Sequence, residues 1–295
     1  MGICDRILLV IAGCRLVMTR HLAPVLGICI LASGAFGQRV AILIPEKSVR
    51  DIEYAERLAS GVQRPIRTLD LAQSAAAFRT LEIANPYNMT ATESRTVSSM
   101  MGCEYFLVIR TGGLRRESFA KPEYFESFSV TYLVSGRTGL LVGWWLKTLE
   151  AADQAKADQK LLDSIDSSAM AIAERIRSAA STEANTPVID IEVVPDEKSP
   201  ASDGLKAPIP YRRIKPQYTS TAALYDVKAT VDLQADVDLD GKIIATRIVR
   251  WAGFGLDESV DSAVRSMNWR PAMRNGKPLP MRILLRYNFT KIDNH

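Results

Sequence analysis

Catalysis by proton transfer leans on histidine, and this chain has two: His21, in an apolar N-terminal stretch, and His295, the last residue. A Ser/His/Asp triad, a Cys/His pair or a histidine-rich zinc site therefore has almost no material in the body of the chain. Asp236-Val237-Asp238-Leu239-Asp240-Gly241 opens like a calcium loop, but the twelfth position, where a bidentate carboxylate closes such a loop, is Arg247. Strict alternation through that run makes its aspartates the wet face of a strand. Thr111-Gly112-Gly113 follows an apolar run as a phosphate nest would, yet no Lys-Ser/Thr pair comes after it, so a simple turn is expected. The triplets Asn88-Met89-Thr90 and Asn288-Phe289-Thr290 fit the glycosylation pattern and carry no assigned role. Trp144-Trp145 sit side by side, so a strand sends one to the core and the other outward, and packing is expected of them before ligand stacking. Carboxylates are plentiful, but without a cleft no pair can be raised to general acid and base. No catalytic residue, metal ligand or cofactor is assigned, and a non-enzymatic protein is expected.

These residues belong to a chain of 295 residues, long enough for about two domains, with 47% hydrophobic and 24% charged residues, an ordinary globular composition. The formal net charge is +4, and from Lys206 onward fifteen Lys and Arg stand against nine Asp and Glu. Mild basicity favours acidic partners, but no module of clustered basic and aromatic residues appears, so nucleic acid is not expected as a partner.

Cys4, Cys14 and Cys29 precede residue 38, and Cys103 alone follows it. From Met18, a candidate true start, the text reads as a secretory signal. Arg20 and His21 form the basic region, Leu22 to Leu31 the apolar stretch, and Ala35-Phe36-Gly37 a small-x-small cleavage site before Gln38. A cleaved chain is periplasmic and keeps one thiol, which rules out an intramolecular disulfide and leaves Cys103 as a packed side chain. Two other readings stay open: Leu22 to Phe36 as an uncleaved inner-membrane anchor, and Ile11-Ala12-Gly13-Cys14 as a lipidation box.

After this leader, the pattern predicts an α+β chain. Val40 to Ile44 reads as a buried strand, and a helix capped by Ser48 runs to Gly61. Ile66 to Leu71 and Ala72 to Leu81 repeat the strand and helix. Tyr105 to Ile109, Phe128 to Val134 and Leu140 to Leu149 supply three more strands, the last two joined by the turn Ser135 to Gly139. Leu161, Ile165, Ala169, Ile172 and Ile176 mark one face of a long helix ending near Ala180. Residues 38–180 are thus a mixed α/β domain, and the proline-bearing stretch 181–205 is a linker with a short strand at Val188 to Val194.

The strongest pattern lies in the domain 206–295. From Val227 to Leu239 apolar and polar residues alternate without exception, Asp240-Gly241 turns the chain, and Ile243 to Val249 returns. Leu256, Val260, Ala263, Val264 and Met267 define a helix with Asp257 and Glu258 in its first turn, and Arg282 to Phe289 is a closing strand. The order is β-β-α-β.

Over about residues 206–291 this segment resembles the C-terminal domain of the TonB family. Carrying the resemblance are Pro216-Gln217-Tyr218 before the first strand, Val237 to Ile243 at the hairpin and Gly255-Leu256-Asp257 at the helix start. Trp269-Arg270-Pro271-Ala272, Asn275-Gly276-Lys277-Pro278 and Arg286-Tyr287-Asn288-Phe289 follow in family order. The resemblance implies a periplasmic domain that binds the TonB box of outer-membrane receptors by strand addition in energy-coupled transport. It places partner binding at Arg282, Leu284, Arg286 and Asn288 on the edge strand, with Lys215, Pro216, Gln217 and Tyr218 as a second contact region. An ExbB/ExbD-type motor partner is left open, because the signal-like N-terminus, the folded middle domain and the short linker depart from the transducing pattern; a homodimer is also left open. Thr219 stands where the family pattern has a proline. The middle domain more faintly resembles periplasmic α/β domains of the TolB and CsgG type. A scaffold using the same domain without energy transduction is the alternative, and an envelope enzyme acting through the middle domain is the third.

Overall fold

A computed structural model describes residues 38–62, 66–119, 122–185, 190–196 and 198–291. The leader readings, including cleavage at Ala35 and Gly37, lie outside the described residues. Among the described residues no helix is long and apolar enough to cross a membrane.

The chain opens with β1 (Arg39–Leu43), α1 (Val49–Gly61), β2 (Arg67–Thr68), α2 (Leu71–Arg79) and α3 (Ala91–Met101). β3 (Tyr105–Arg116), β4 (Tyr124–Ser135) and β5 (Leu141–Ala151) follow, then α4 (Gln154–Asp163) and α5 (Ile165–Asn185). Ser48 caps α1 as expected, and Asp51 returns the bond to complete a capping box. α3 is an element the apolar periodicity does not announce. Its buried face is Ala91, Ser94, Val97 and Ser98, too polar to register, and its one local signal is the box Thr90…Glu93. The predicted long helix is two, broken at Ser164, and the second runs past the expected end to Asn185.

The first sheet has the order β2-β1-β3-β4-β5, parallel from β2 to β3 and antiparallel from β3 to β5. β3 is longer than its apolar run. Thr111-Gly112-Gly113, expected as a turn, continues the strand opposite Ser129, Phe128 and Ser127. The buried Asp51 carboxylate holds it there, accepting from Thr111 N and Thr111 Oγ1, each at 2.7 Å. Gly112 is required because the Phe128 ring occupies the space of a Cβ.

The remaining elements are β6 (Leu205–Lys206), β7 (Ile209–Pro210), α6 (Ser220–Leu224), β8 (Ala229–Val237), β9 (Ile243–Arg250) and α7 (Leu256–Arg265). β10 (Trp269–Arg270), β11 (Ala272–Arg274), β12 (Lys277–Leu279) and β13 (Met281–Phe289) complete the chain. β13-β8-β9 form an antiparallel sheet with α7 against one face. Val231, Leu233, Ala235 and Val237 are buried beneath that helix, as their alternation requires.

One face of the first sheet packs on α1, α4 and α5 through Ile42, Leu107, Leu133, Leu161 and Ile172. Its other face joins a core that continues into the second sheet and contains both Val130 and Val260. The loop after β9 makes the junction. Trp251, fully buried, lies 5.0 Å from the Tyr132 ring, and Phe254 stacks on Trp144 at 5.5 Å. Trp144 and Trp145 do part to opposite faces, each packing on a different core. Asn88 ties the junction, its amide donating to Trp251 O (2.6 Å) and Thr230 O (2.8 Å) while Thr230 N donates back to it (3.0 Å). Gly253, Phe254 and Gly255 all have positive φ, and a Cβ at Gly253 would meet the Tyr132 ring at 2.8 Å.

Candidate functional site

Among the described residues β13 pairs with one neighbouring strand, β8, which makes its other side the edge of the second sheet. In an antiparallel strand alternate residues turn both N–H and C=O to the same side. Arg282 identifies the outward set, because its N–H donates to Glu192 O (2.7 Å) and its C=O accepts from Val194 N (2.9 Å), both outside the sheet. The outward residues are therefore Arg282, Leu284, Arg286 and Asn288. Residues 192–194 occupy the first rung, where Val193 bridges Arg282 in parallel, inside the segment expected to carry a short strand. Among the described residues nothing pairs with the backbone of Leu284, Arg286 or Asn288 on that side.

Beside these open rungs runs a groove of about 580 Å³. Its near wall is Ile283 to Tyr287, its far wall the lead-in residues Pro208 to Pro216, and Met267 and Trp269 lie between. Trp269 is held under the lead-in by the pairing of β7 with β10, and its buried Nε1 has no hydrogen-bond partner among the described residues. Its rim is mixed: Ile209, Ile214 and Leu284 are exposed apolar residues, beside exposed Arg213, Lys215 and Arg286.

Of the residues expected to bind a partner, Lys215, Pro216, Leu284 and Arg286 meet in this groove. Gln217 and Tyr218 stand outside it and hold the lead-in in place. Gln217 N donates to Ser259 Oγ (2.8 Å), whose hydroxyl donates to Gln217 O (2.9 Å). Tyr218 donates to Ala222 O (3.1 Å) and Val227 O (2.9 Å) and stacks near Phe289. Thr219, in the place of the expected proline, caps α6 and donates to Phe254 O (2.6 Å). Pro208, Ile209 and Ile214 are wall residues the sequence did not single out; apolar side chains spaced through a proline-bearing stretch were their only mark.

The side chains of Arg282, Leu284, Arg286 and Asn288 lie on the face away from α7. Arg282 forms a two-pronged pair with Asp236 (2.6 and 2.8 Å) and Arg286 another with Asp232 (2.7 and 2.9 Å). Burial pushes the Asp232 carboxyl up, but hydrogen bonds from Arg286 and Arg250 hold it below the ordinary carboxylate range. Asn288 Oδ1 accepts from Thr230 Oγ1 (2.8 Å). Asp238, in the calcium-like run, accepts from the backbone of Asp240 and Lys242 and so builds the hairpin turn. The groove thus offers unpaired main-chain groups beside exposed apolar and basic residues, which suits capture of an extended peptide.

Residues 214–290 match the family described as Gram-negative bacterial TonB protein C-terminal. The chain carries a TonB C-terminal domain over that stretch. No curated protein matches the chain. Among solved structures it is similar to the TonB C-terminal domain of Pseudomonas aeruginosa, 18% identical, covering 36% of this chain and 99% of that one with a TM-score of 0.27. It is also similar to a Neisseria meningitidis lipoprotein, 12% identical over 50% of this chain and 99% of that one, TM-score 0.29. The LpoB C-terminal domain from Salmonella enterica is 13% identical over 40% of this chain and 84% of that one, TM-score 0.25.

Proposed function

We propose, for a chain whose residues 214–290 are a TonB C-terminal domain, that it acts in the Gram-negative cell envelope by adding a partner's extended segment to β13. The observation that carries this reading is the run of outward rungs at Leu284, Arg286 and Asn288 beside a groove with exposed apolar side chains. Main-chain hydrogen bonds supply affinity there and the groove selects side chains. The partner is the TonB box of an outer-membrane receptor, the compartment the periplasm, and the role one in transport without catalysis. A motor of the ExbB/ExbD kind is engaged only if the N-terminal segment stays in the inner membrane, and a second copy of β13 competes for the same rungs as a homodimer.

One observation favours a second reading, a periplasmic scaffold without energy transduction. The TonB-type domain shares a buried core with the α/β body, so a pull on the body is a pull on that core.

The test is fluorescence anisotropy with synthetic receptor-box peptides, each N-methylated at one backbone position. Strand addition predicts that methylation abolishes binding at every second position and is tolerated between. Uniform tolerance, or no binding of any box peptide, overturns it.

A further inference from the structure

A second cleft, of about 730 Å³, opens between the α/β body and the face of the second sheet that bears Asp232 and Arg286. Arg95 from α3, Arg137 from the β4–β5 turn, Arg175 from α5, Arg247 from β9 and Arg286 from β13 line it, against Glu183 and Asp232. Arg137 pairs with Glu183 at 3.2 Å, and Arg286 and Arg250 share Asp232. Among the described residues no carboxylate lies within ion-pairing distance of Arg95, Arg175 or Arg247.

Two of these three are nevertheless held in place. Arg95 donates to Thr138 O (3.1 Å) and Thr92 Oγ1 (3.2 Å), and Arg175 Nε donates to Val142 O (2.7 Å). A guanidinium carries five N–H donors, so most of theirs remain available to a ligand. Arginines scattered over a surface are solvated one by one; these converge from separate elements on a single concavity. The whole chain has a formal net charge of only +4, so the imbalance in this cleft is comparable with that of the entire molecule. Low-dielectric walls focus the resulting field, and gathering like charges carries a cost that an anion removes.

We propose that this cleft binds a ligand bearing two or more phosphate groups. A phosphate monoester carries about −1.5 to −2 charges, so a pair of them matches three uncompensated arginines where a single carboxylate does not. The guanidinium fork suits phosphate oxygens, and the cleft volume falls within the range of small-molecule sites. The same chemistry is offered by a soluble phosphoester and by a lipid headgroup.

Titration calorimetry of the full chain with inorganic tripolyphosphate, against sulfate at equal ionic strength, tests this. Tripolyphosphate is expected to bind the tighter of the two. The pair Arg175→Ala and Arg247→Ala together is expected to weaken it by about tenfold or more. The control pair Arg57→Ala and Arg177→Ala, exposed arginines on α1 and α5 outside the cleft, is expected to leave it unchanged. Flotation with phosphatidylcholine vesicles containing lipid A, whose headgroup bears two phosphate groups, separates the sources. Flotation lost in the cleft variant assigns a lipid headgroup, and tripolyphosphate binding without flotation assigns a soluble ligand. Equal weakening in both variant pairs, no weakening in the cleft pair, or no preference over sulfate overturns the proposal.

Discussion

β4 is buried along every residue from Glu126 to Ser135, flanked by β3 and β5 and covered on both faces, whereas β13 alternates between half-buried and exposed residues and has a neighbour on one side only. A strand like β4 has its backbone groups and side chains committed to the fold. A strand like β13 keeps three rungs and one face for something else. The contrast is one of supporting layers, since β4 has helices beneath it and the loop Trp251 to Phe254 above, while α7 lies over β8 and β9 and β13 has the lead-in beside it. Open backbone among the described residues therefore collects where the layers run out.

The contrast breaks most severely at Trp251, which belongs to the C-terminal domain yet fills the face of the first sheet. Trp251→Ala empties a fully buried site and is expected to cost about 3–5 kcal/mol. Because the core is continuous, urea unfolding followed by one probe in each half should shift together. Two separated transitions in the wild-type chain would show that the halves unfold independently.

A smaller effect arises at Asp257, whose carboxylate accepts from Ala252 N (3.0 Å) and Gly253 N (2.8 Å) and so shapes the same loop. Burial pushes this carboxyl up to about 7, against the pull of those two donors. Its folded value thus exceeds the ordinary 3.8 of an unfolded chain, so its protonated form favours folding. The contribution is complete below that ordinary value and is lost as pH rises through about 7. Thermal unfolding between these limits should show falling stability with pH, and Asp257→Asn should flatten the profile. Among the described residues no imidazole competes as the source.

The two regions also differed in how much of them could be read in advance. In the second sheet alternation from Val227 to Leu239 announced β8, the helix spacing announced α7, and the resemblance pointed to Leu284 and Arg286, two of the five β13 residues beside the groove. Local pattern suffices where one face is wet. The first sheet hid α3, whose buried face is largely serine and alanine, and hid the extension of β3 through two glycines, which depends on Asp51 sixty positions away in sequence. The shared core was illegible for a related reason: Trp251 and Phe254 lie in a loop with no periodicity, and their partners Tyr132 and Trp144 are more than a hundred residues earlier. Of the far wall the resemblance pointed to Lys215 and Pro216, while Pro208, Ile209 and Ile214 stayed hidden because they follow no period and their place depends on β7 pairing with β10 over Trp269.

On the exposed face of the second sheet, Asp232→Asn removes the carboxylate shared by Arg286 and Arg250. Arg286 is more than half exposed and can be solvated once released, so the expected loss is about 1–2 kcal/mol, below that of a fully buried pair. Chemical denaturation in low and high salt checks it: a loss that shrinks with salt identifies the ion pairs, and one that does not would point to altered packing.

The smallest effect on stability separates fold from function within β13 itself. Leu284 turns its N–H outward and its side chain is half exposed, so Leu284→Pro deletes a docking rung without touching the ladder to β8, and its stability cost should stay within about 1 kcal/mol. Leu285, one residue on, donates its N–H to the ladder, and proline there should unfold the strand. A box peptide that binds the wild type and fails on Leu284→Pro, with the melting temperature nearly unchanged, would locate capture on the outward rungs. If the peptide still bound with undiminished affinity, the open backbone of β13 would not be the docking edge, and the other edge strand, β9, whose end at Arg250 is already bridged to Thr90, would be the next place to look.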